Sequence, residues 1–375
     1  MLEGTFSNPR GGDSGKIVAH IKVIGVGGGG CNTVRRMMQG CTIGGLDYIV
    51  MNTDVKSLEL IQRCQAIQIG SHLTQGFGAG GDARVGEAAA RENKMALQKA
   101  CRGADMIFIT AGMGGGTGTG SAPVVAEIAR ESGALVIAVV TTPFTFEGTR
   151  RADVAFNGLR TLMEKVNSTI IVPNDHLLRL GDHDVPISKA FAAAYGVVSD
   201  GITAISELIN VPGEINVDMA DVKRVMSIPG ISLMATGRGE GPNGAEHAAQ
   251  EVIFEPLLET HVTGAKGVLF CFTGGPDLTL GSVEKAASLI SKSVDPHALI
   301  FFGMNLARPE MTGKCKINLV ATGIEPSANS AWFSQLRQAA KNAPAQQGKG
   351  QQGKGQQQPG KLTRLSMAYA TKLFQ

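Results

Sequence analysis

The stretch Ala111-Gly-Met-Gly-Gly-Gly-Thr-Gly-Thr-Gly120 follows an apolar run at residues 106–110 and precedes a helical pattern that begins at Ser121. Glycine lets the backbone approach an anion closely, because it has no Cβ atom. Exposed N–H groups followed by the positive end of a helix form a cradle for phosphates. The stretch therefore predicts a phosphate-binding loop between a strand and a helix.

Two further glycine loops occur, Gly25-Val-Gly-Gly-Gly-Gly-Cys-Asn32 and Gly76-Phe-Gly-Ala-Gly-Gly-Asp82, and the second precedes an Ala-rich helix predicted from Val85 to about Cys101. The first satisfies G-x-G-x-x-G, and Asp54 follows the next strand at roughly Rossmann spacing, so this loop alone would indicate a dinucleotide-binding enzyme. A dinucleotide needs one such turn for its pyrophosphate, whereas three converging loops suit a triphosphate. A Walker P-loop is not predicted, because the G-x-x-x-x-G-K match at residues 348–354 is followed by Gly355 and lies in a Gln/Gly/Lys repeat.

Strand-like runs at residues 134–140 and 168–172 alternate with helical segments. This alternation predicts an α/β fold with a doubly wound parallel sheet and a ligand site at the carboxyl ends of its strands. Apolar positions that step by three and four through residues 187–210 predict one long buried helix. Shorter strand-like runs between residues 268 and 321, with a helix at 283–293, predict a smaller α+β unit.

Composition narrows the classes of function. The chain has 375 residues, 43% of them hydrophobic, and a net charge of only +3, which argues against a nucleic-acid partner. The six cysteines form no C-x-x-C pair and no zinc-like spacing, so reduced thiols are expected. Residues 1–16 lack the apolar segment of a signal peptide, so a cytoplasmic location is predicted.

Several motifs in order resemble one family. They are G-G-G-T-G-T-G at residues 114–120, T-x-P-F-x-F-E-G at 141–148 and N-x-D-x-x-D at 216–221, together with the order of the glycine loops. Across residues 19 to 322 the chain resembles FtsZ, the bacterial and plastid relative of tubulin that assembles into the cell-division ring. The resemblance implies a tubulin/FtsZ-like α/β fold.

The resemblance also implies a division of the chain into domains. A doubly wound GTP-binding domain and a smaller α+β C-terminal activation domain would lie on either side of a central helix. The implied segments are a flexible arm (1–17), the GTP-binding domain (18–186), the central helix (187–210), the activation domain (211–322) with a catalytic loop at 213–221, a disordered linker (323–361) and a tail peptide (362–375).

The resemblance further implies GTP and GDP as ligands, with Mg²⁺, and gives each site residue a role. Residues 28–32 would line the nucleotide, 79–81 would lie near its terminal phosphate, and 115–118 would hold the phosphates. The ribose side would be contacted by Thr141, Glu147, Arg151 and Asn174, and Phe191 would stack on the base. The full set is Gly28, Gly29, Gly30, Cys31, Asn32, Ala79, Gly80, Gly81, Gly115, Gly116, Thr117, Gly118, Thr141, Glu147, Arg151, Asn174, Phe191 and Gly196.

Catalysis would be shared between molecules. Asn216, Asp218 and Asp221 of one molecule would reach the terminal phosphate held by the next, where carboxylates can position an attacking water. Polymerisation would therefore activate GTP hydrolysis, and a head-to-tail contact that does not close would build filaments of the chain with itself.

The chain departs from the family after Phe191. The family pattern A-A-N-D ends in an Asp that accepts hydrogen bonds from guanine, whereas here the residues are Ala193-Ala-Tyr-Gly196. An unpaired buried donor costs about 1–3 kcal/mol, so we expect GTP to be held mainly by phosphates and stacking, with weaker base selectivity unless another group substitutes. Gly196 also motivates one alternative, a hydrolysis-poor companion FtsZ that copolymerises and regulates. A remote alternative, a dinucleotide-binding oxidoreductase, leaves residues 216–221 unexplained.

The tail is a second departure. Family tails end in an acidic-apolar peptide of the D-I-P-x-F-L type, whereas residues 362–375 are basic and amphipathic. The tail could dock a membrane-tethering adaptor or division protein, bind a membrane surface directly, or have no role. The predicted location is the cytoplasm at the midcell division site, with the plastid stroma less favoured.

Overall fold

The framework of the fold is a mixed sheet of short, largely buried strands. The computed structural model describes residues 19–39, 45–175, 187–211, 213–254, 262–306 and 309–324, without the side chains of 187–194 and 197. The predicted arm, the tail peptide and the predicted linker beyond residue 324 lie outside the described residues. The strands are β1 (Ile21–Val26), β2 (Leu46–Asn52), β3 (Gln65–Gln68), β4 (Met106–Gly112), β5 (Leu135–Thr142), β6 (Ser168–Pro173), β7 (Ile231–Glu240), β8 (Gly267–Gly274), β9 (Leu299–Asn305) and β10 (Lys314–Ile324).

The strand order is β3-β2-β1-β4-β5-β6-β7-β10-β8-β9. The first six strands are parallel, β10 is antiparallel to both β7 and β8, and β9 is parallel to β8. The two halves meet at one parallel pair, Ile170 and Ser232, where the hydroxyl oxygens of Ser168 and Ser232 lie 2.7 Å apart. The predicted parallel sheet and the smaller α+β unit are both present, and the tubulin/FtsZ-like fold class is confirmed.

Helices cover both faces of the parallel strands. The helices are α1 (Gly27–Met37), α2 (Val55–Glu59), α3 (Ser71–Thr74), α4 (Ala83–Glu92), α5 (Lys94–Cys101), α6 (Thr117–Glu131), α7 (Thr149–Met163), α8 (Ile187–Asn210), α9 (Met219–Met226), α10 (Gly244–Ile253) and α11 (Leu280–Ser293). Those that pack on one face are α4 to α7, and those on the other include α1, α8 and α9. A separate core joins α10 and α11 to the antiparallel strands.

The long helix α8 packs against the parallel strands and ends at their amino edge. Its 24 residues span about 36 Å, and Val198, Ile202 and Ile205 are buried against the strands. At its C-terminal end, the Asn210 side chain accepts a hydrogen bond from the Ala19 N–H and donates one to the Ala19 carbonyl, both at 3.1 Å. Because Ala19 precedes β1, the end of α8 lies at the amino edge of the parallel strands.

Two helix boundaries differ from the sequence prediction. Helix α6 begins at Thr117 rather than Ser121, so part of the glycine run forms its first turn. The single Ala-rich helix predicted from Val85 to Cys101 is divided into α4 and α5 at Asn93. The Asn93 side-chain oxygen accepts a hydrogen bond from the Gly70 N–H at 2.8 Å, which ties this break to a neighbouring turn.

The strand β7 and the helix α10 were not predicted from the sequence. Glycines at 237 and 239 weaken the strand pattern, since glycine has low strand propensity. In the structure α10 packs directly on these glycines: a Cβ at Gly237 would collide with the Ala248 carbonyl, and one at Gly239 with the Gly244 carbonyl. None of the helices among the described residues has the length and apolarity needed to cross a bilayer.

The close packing of α10 on β7 gives a testable prediction. Gly237→Ala should lower the free energy of unfolding by about 1–3 kcal/mol, because the added methyl group overpacks the contact with Ala248. Urea unfolding followed by circular dichroism measures the change. Gly281→Ala on α11 is the matched control: its Cβ would meet no atom within 4 Å, so its stability should stay equal or rise. Equal midpoints for the two variants would contradict the prediction.

Candidate functional site

Two helices begin side by side at the carboxyl edge of the parallel strands. β1 passes directly into α1, and β4 leads through a short glycine turn into α6. β1 and β4 are neighbours, with Val26 paired to Ala111 near their ends. The first N–H groups of a helix have no partner inside the helix and carry partial positive charge. The two helix N-termini therefore direct unpaired donors toward one place.

Glycines allow this close approach. Gly27 has a φ of +69°, and a Cβ there would lie 2.8 Å from the Gly118 nitrogen. A Cβ at Gly30 would collide with the Thr110 carbonyl. In contrast, a Cβ at Gly28 or Gly115 would meet no atom within 4 Å, so these residues border open space. The glycine runs thus have two functions: some residues bring backbones together, and others leave room beside them.

A cavity of about 350 Å³ lies at this position. That volume falls within the range of small-molecule sites in proteins. Ten of the residues predicted for the nucleotide site line it: Gly28, Gly29, Gly115, Gly116, Thr117, Gly118, Thr141, Glu147, Arg151 and Asn174. Four lining residues were not in the predicted set: Gly112, Met113, Pro143 and Tyr195.

Three of these four residues belong to motifs already quoted, and the fourth lies on α8. Gly112 and Met113 belong to the glycine stretch itself and could have been included on that ground, and Pro143 belongs to the quoted T-x-P-F motif. Tyr195 stands where the family pattern A-A-N-D has its Asn. Its position in the cavity wall shows that α8 contributes to the site at this turn.

Asn174 is the clearest indication that the cavity holds a ligand. It follows β6, its side chain is buried, and its Oδ1 atom has no hydrogen-bond partner among the described residues. Leaving a buried acceptor unpaired costs about 1–3 kcal/mol. A bound molecule with a hydroxyl or N–H donor would satisfy this atom, which fits the ribose contact predicted for Asn174.

Glu147 and Arg151 form an ion pair in the cavity wall. The Glu147 Oε2 atom lies 2.7 Å from Arg151 Nη1, and its Oε1 atom accepts the Phe144 N–H at 2.8 Å. The Glu147 side chain is only 16% exposed, so this is not a fully solvated helix-surface pair. Nearby, Asp175 accepts hydrogen bonds from the N–H and hydroxyl of Thr145. These bonds hold the loop after β5 against the end of β6.

Three predicted residues of the first loop do not line the cavity. Gly30 packs against Thr110, and Cys31 is buried with its Sγ atom 3.7 Å from the Met51 carbonyl oxygen and 3.9 Å from that of Gly25. Burial raises the pKa of the Cys31 thiol to about 12, and the nearby Cys64 adds to this. Asn32 is half-buried and does not line the cavity.

The second glycine loop lies behind the phosphate cradle. A Cβ at Gly116 would come within 2.8 Å of the Ala79 Cβ and 3.0 Å of the Asp82 backbone, so the two loops touch. Gly80 and Gly81 line a different cavity, of about 620 Å³, between α4, α6 and α7. Hydrogen bonds from Arg84 lower the pKa of Asp82 to about 2, and the two side chains form an ion pair at 2.8 Å at the end of this loop.

The base end of the site is only partly described. Phe191 belongs to α8, but its side chain lies outside the described residues, so its predicted stacking role stays a prediction. Gly196 does not line the cavity, although Tyr195 beside it does. Asp54, the acidic residue of the dinucleotide alternative, instead caps α2: it accepts the Lys56 N–H at 3.1 Å and the Ser57 hydroxyl at 2.6 Å.

The three predicted catalytic residues do not line this cavity. Asn216 accepts the Gly213 N–H at 2.7 Å, and Asp218 caps α9 by accepting the Asp221 N–H at 2.8 Å. They follow the C-terminal end of α8, fifteen residues beyond Tyr195 at Asn210, which corresponds to about 22 Å along the helix axis. The cavity and these residues therefore lie at opposite ends of α8.

The Asp221 carboxylate differs from the other two side chains. Within the described part of the chain it accepts no hydrogen bond and forms no ion pair, although it is only partly exposed. Among the same residues, no group of three His, Cys, Asp or Glu side chains is placed to hold a metal ion.

Two family profiles match the chain. Residues 20–182 match the GTPase domain of the Tubulin/FtsZ family, and residues 230–325 match the C-terminal domain of the FtsZ family. The first match contains every cavity-lining residue except Tyr195, and the second contains β7 to β10.

Solved structures agree with these matches. The chain is 39% identical to an empty FtsZ dimer from M. jannaschii, with a TM-score of 0.76 over 82% of this chain and 89% of that one. It shares its fold with a GTPγS-bound protofilament of CetZ2 from Haloferax volcanii, at 22% identity and a TM-score of 0.72 over 86% of this chain and 98% of that one.

The burial of Cys31 predicts low reactivity. At pH 8 a thiol with a pKa of about 12 is ionised to a fraction on the order of 10⁻⁴, and only the thiolate reacts with iodoacetamide. Peptide mapping after timed labelling of the native chain should show Cys31 modified far more slowly than the half-buried Cys64. If Cys31 were instead labelled rapidly and GTP prevented that labelling, the result would place the Cys31 thiol against the nucleotide.

The unpaired Asn174 atom predicts opposite effects on stability and binding. Asn174→Ala removes a buried unsatisfied acceptor, so the unliganded protein should be no less stable than wild type despite the lost packing. Its affinity for GDP should fall about tenfold, because one hydrogen bond to the ligand is lost. Thermal melts with and without GDP measure both effects. A variant that loses stability yet keeps wild-type affinity would assign Asn174 a structural role only.

Proposed function

The chain belongs to the FtsZ branch of the Tubulin/FtsZ family and is a GTPase of that family, and we propose that its GTP site is completed by a neighbouring molecule in a head-to-tail filament. One observation carries the proposal. The cavity that fits a nucleotide lies at the carboxyl edge of the parallel strands, while Asn216, Asp218 and Asp221 follow the opposite end of α8.

Nucleotide binding rests on the two helix N-termini. The phosphates would accept hydrogen bonds from the first N–H groups of α1 and α6, at residues 28–29 and 115–118. Gly80 and Gly81, held behind Gly116, would lie toward the terminal phosphate. The ribose hydroxyls would donate to Asn174 and Glu147, with Thr141 beside them. Mg²⁺ would be coordinated largely by phosphate oxygens and water, as is usual for this ion.

The loop at residues 213–221, here called the acidic loop, supplies groups suited to hydrolysis. Asp221 has a carboxylate free of hydrogen bonds among the described residues, so it can orient a water molecule or accept its proton. Asp218 holds the first turn of α9 in place through its bond to the Asp221 N–H, and Asn216 fixes the turn after α8. Asp221 is therefore the residue proposed to contact the attacking water, and the other two position it.

The distance along α8 favours a GTP site that is completed by a second molecule. Within one chain about 22 Å of helix separates Tyr195 at the cavity from the end of α8, which is far beyond hydrogen-bond reach. A contact between opposite ends of identical molecules does not close on itself and therefore builds filaments. The dimeric FtsZ and the protofilament of CetZ2 among the similar structures support self-association of this kind. GTP hydrolysis would then rise with assembly.

At the cellular level we propose a role in the cytoplasmic cell-division ring, based on membership of the FtsZ family. Residues 362–375 would provide the contact with membrane-tethering adaptors or other division proteins. Gly196 supports a second candidate within the same family, a companion that copolymerises but hydrolyses GTP slowly. The two candidates differ in turnover per filament, not in fold.

Complementation between two inactive variants tests the shared site. Asp221→Asn should bind GTP but fail to hydrolyse it. Gly115→Asp should fold, since a Cβ there meets no atom within 4 Å, but its carboxylate should repel the phosphates. Mixing the two should restore phosphate release well above the sum of the separate rates, because the nucleotide on one variant meets an intact acidic loop on the other.

Further measurements separate the possible failures. Wild-type phosphate release per molecule should rise cooperatively with protein concentration, and Glu284→Gln, an exposed acidic residue on α11, should behave like wild type. No recovery in the mixture, together with turnover independent of concentration, would show that each chain hydrolyses GTP alone. Filaments with GTP but without appreciable turnover would favour the companion function.

A further inference from the structure

Arg36 occupies the space beside Gly196. Arg36 lies on α1 and Gly196 on α8, and a Cβ placed on Gly196 would be 3.8 Å from the Arg36 Nε atom. The guanidinium therefore lies where a side chain at position 196 would project. Arg36 is exposed, and within the described part of the chain it forms no ion pair or side-chain hydrogen bond. Its donors are available to a ligand.

The location corresponds to the base end of a bound nucleotide. Gly28 and Gly29 at the start of α1 line the cavity, and Arg36 lies eight residues, about 12 Å, further along that helix. Tyr195, next to Gly196, lines the cavity from α8. A nucleotide with its phosphates at the start of α1 can therefore extend its base between α1 and α8, toward Arg36.

A carboxylate at position 196 and a guanidinium beside it would recognise different groups of guanine. A carboxylate at position 196 would accept hydrogen bonds from the N1–H and amino group of guanine. A guanidinium has donors only, so it cannot replace those contacts. It matches another edge of guanine, where O6 and N7 are both acceptors, whereas adenine presents an amino donor beside N7.

We propose that Arg36 reads guanine through O6 and N7 and thereby preserves the preference for guanine over adenine in a site that lacks the acidic residue at position 196. The proposal rests on the proposed nucleotide site and changes the expectation drawn from Gly196 alone. Guanine selectivity is kept, but the 2-amino group of guanine no longer contributes to it.

Competition binding with purine nucleoside diphosphates tests this, since diphosphates avoid turnover. The probes are GDP, IDP, ADP and 2-aminopurine riboside diphosphate, bound to the full chain. IDP keeps O6 and N7 but lacks the 2-amino group, so it should bind as tightly as GDP. ADP and the 2-aminopurine nucleotide lack O6 and should bind roughly 10- to 100-fold more weakly.

Variants assign the effect to Arg36. Arg36→Ala should lose the GDP preference, with affinity for GDP falling at least about tenfold and affinity for ADP nearly unchanged. Arg35→Ala is the matched control: it removes the same charge from an exposed residue about 100° around α1 and should keep the wild-type ratio. Gly196→Asp should restore recognition of the 2-amino group, so that GDP binds more tightly than IDP.

Distinct results overturn the inference. An unchanged GDP-to-ADP ratio in Arg36→Ala, with the same melting temperature as wild type, would show that Arg36 does not contact the base. Much weaker binding of IDP than GDP to wild type would show that the 2-amino group is read by another residue. If wild type binds none of the four nucleotides, the proposed site itself fails, and Arg36 fails with it.

Discussion

The structure depends on the contact between two backbone segments at the ends of β1 and β4. Gly27 and Gly118 come so close that a Cβ atom on Gly27 would lie 2.8 Å from the Gly118 nitrogen. This contact starts α1 and α6 next to each other and directs their unpaired N–H groups into one cavity. The donors belong to the backbone, so their direction is set by the packing of these glycines and not by any single side chain.

A second constraint is the length of α8. Buried apolar residues fix the helix along the parallel strands, and its end is fastened to Ala19 at their amino edge. A helix of this length keeps residues 213–221 away from the cavity of the same chain. In the proposed function, binding and hydrolysis would therefore use opposite surfaces, and a second molecule would bring them together. The contact between chains and the enzymatic activity would then depend on the same geometry.

Much of the fold could be predicted from apolar periodicity and glycine runs, and the exceptions have physical causes. The parallel sheet and α8 were predicted because buried strands and a long helix give strong apolar patterns, whereas the family was predicted from the glycine loops and the motifs at residues 141–148 and 216–221. The start of α6 was missed because glycines in its first turn resemble a loop, whereas here they permit close packing against α4. β7 was missed because Gly237 and Gly239 are needed under α10 and weaken the strand pattern.

Site residues were predictable from local motifs and from the family resemblance. Glu147 lines the cavity from the T-x-P-F-x-F-E-G motif, and Asn174, which the resemblance implied, lines it from the end of β6. The resemblance also implied that Cys31 lines the nucleotide, but in this structure position 31 of α1 faces the core, where its thiol is buried. Arg36 has no motif at all. Its relation to Gly196 arises from the packing of α1 on α8, and such contacts between distant segments cannot be obtained from one sequence.

These observations separate the parts of the site that can vary from those that cannot. A side chain at Gly27, Gly30 or Gly118 would collide with backbone atoms, so the phosphate end tolerates little change. The base end is different: among the described residues, a Cβ at position 196 would approach the Arg36 Nε atom alone, at 3.8 Å, which is an ordinary van der Waals distance. Under the Arg36 proposal, substitution at position 196 would alter which groups of the base are read and would leave the packing of the phosphate end unchanged. The site would then keep its nucleotide without an acidic residue at position 196, because the neighbouring helix supplies a donor for the other edge of the base.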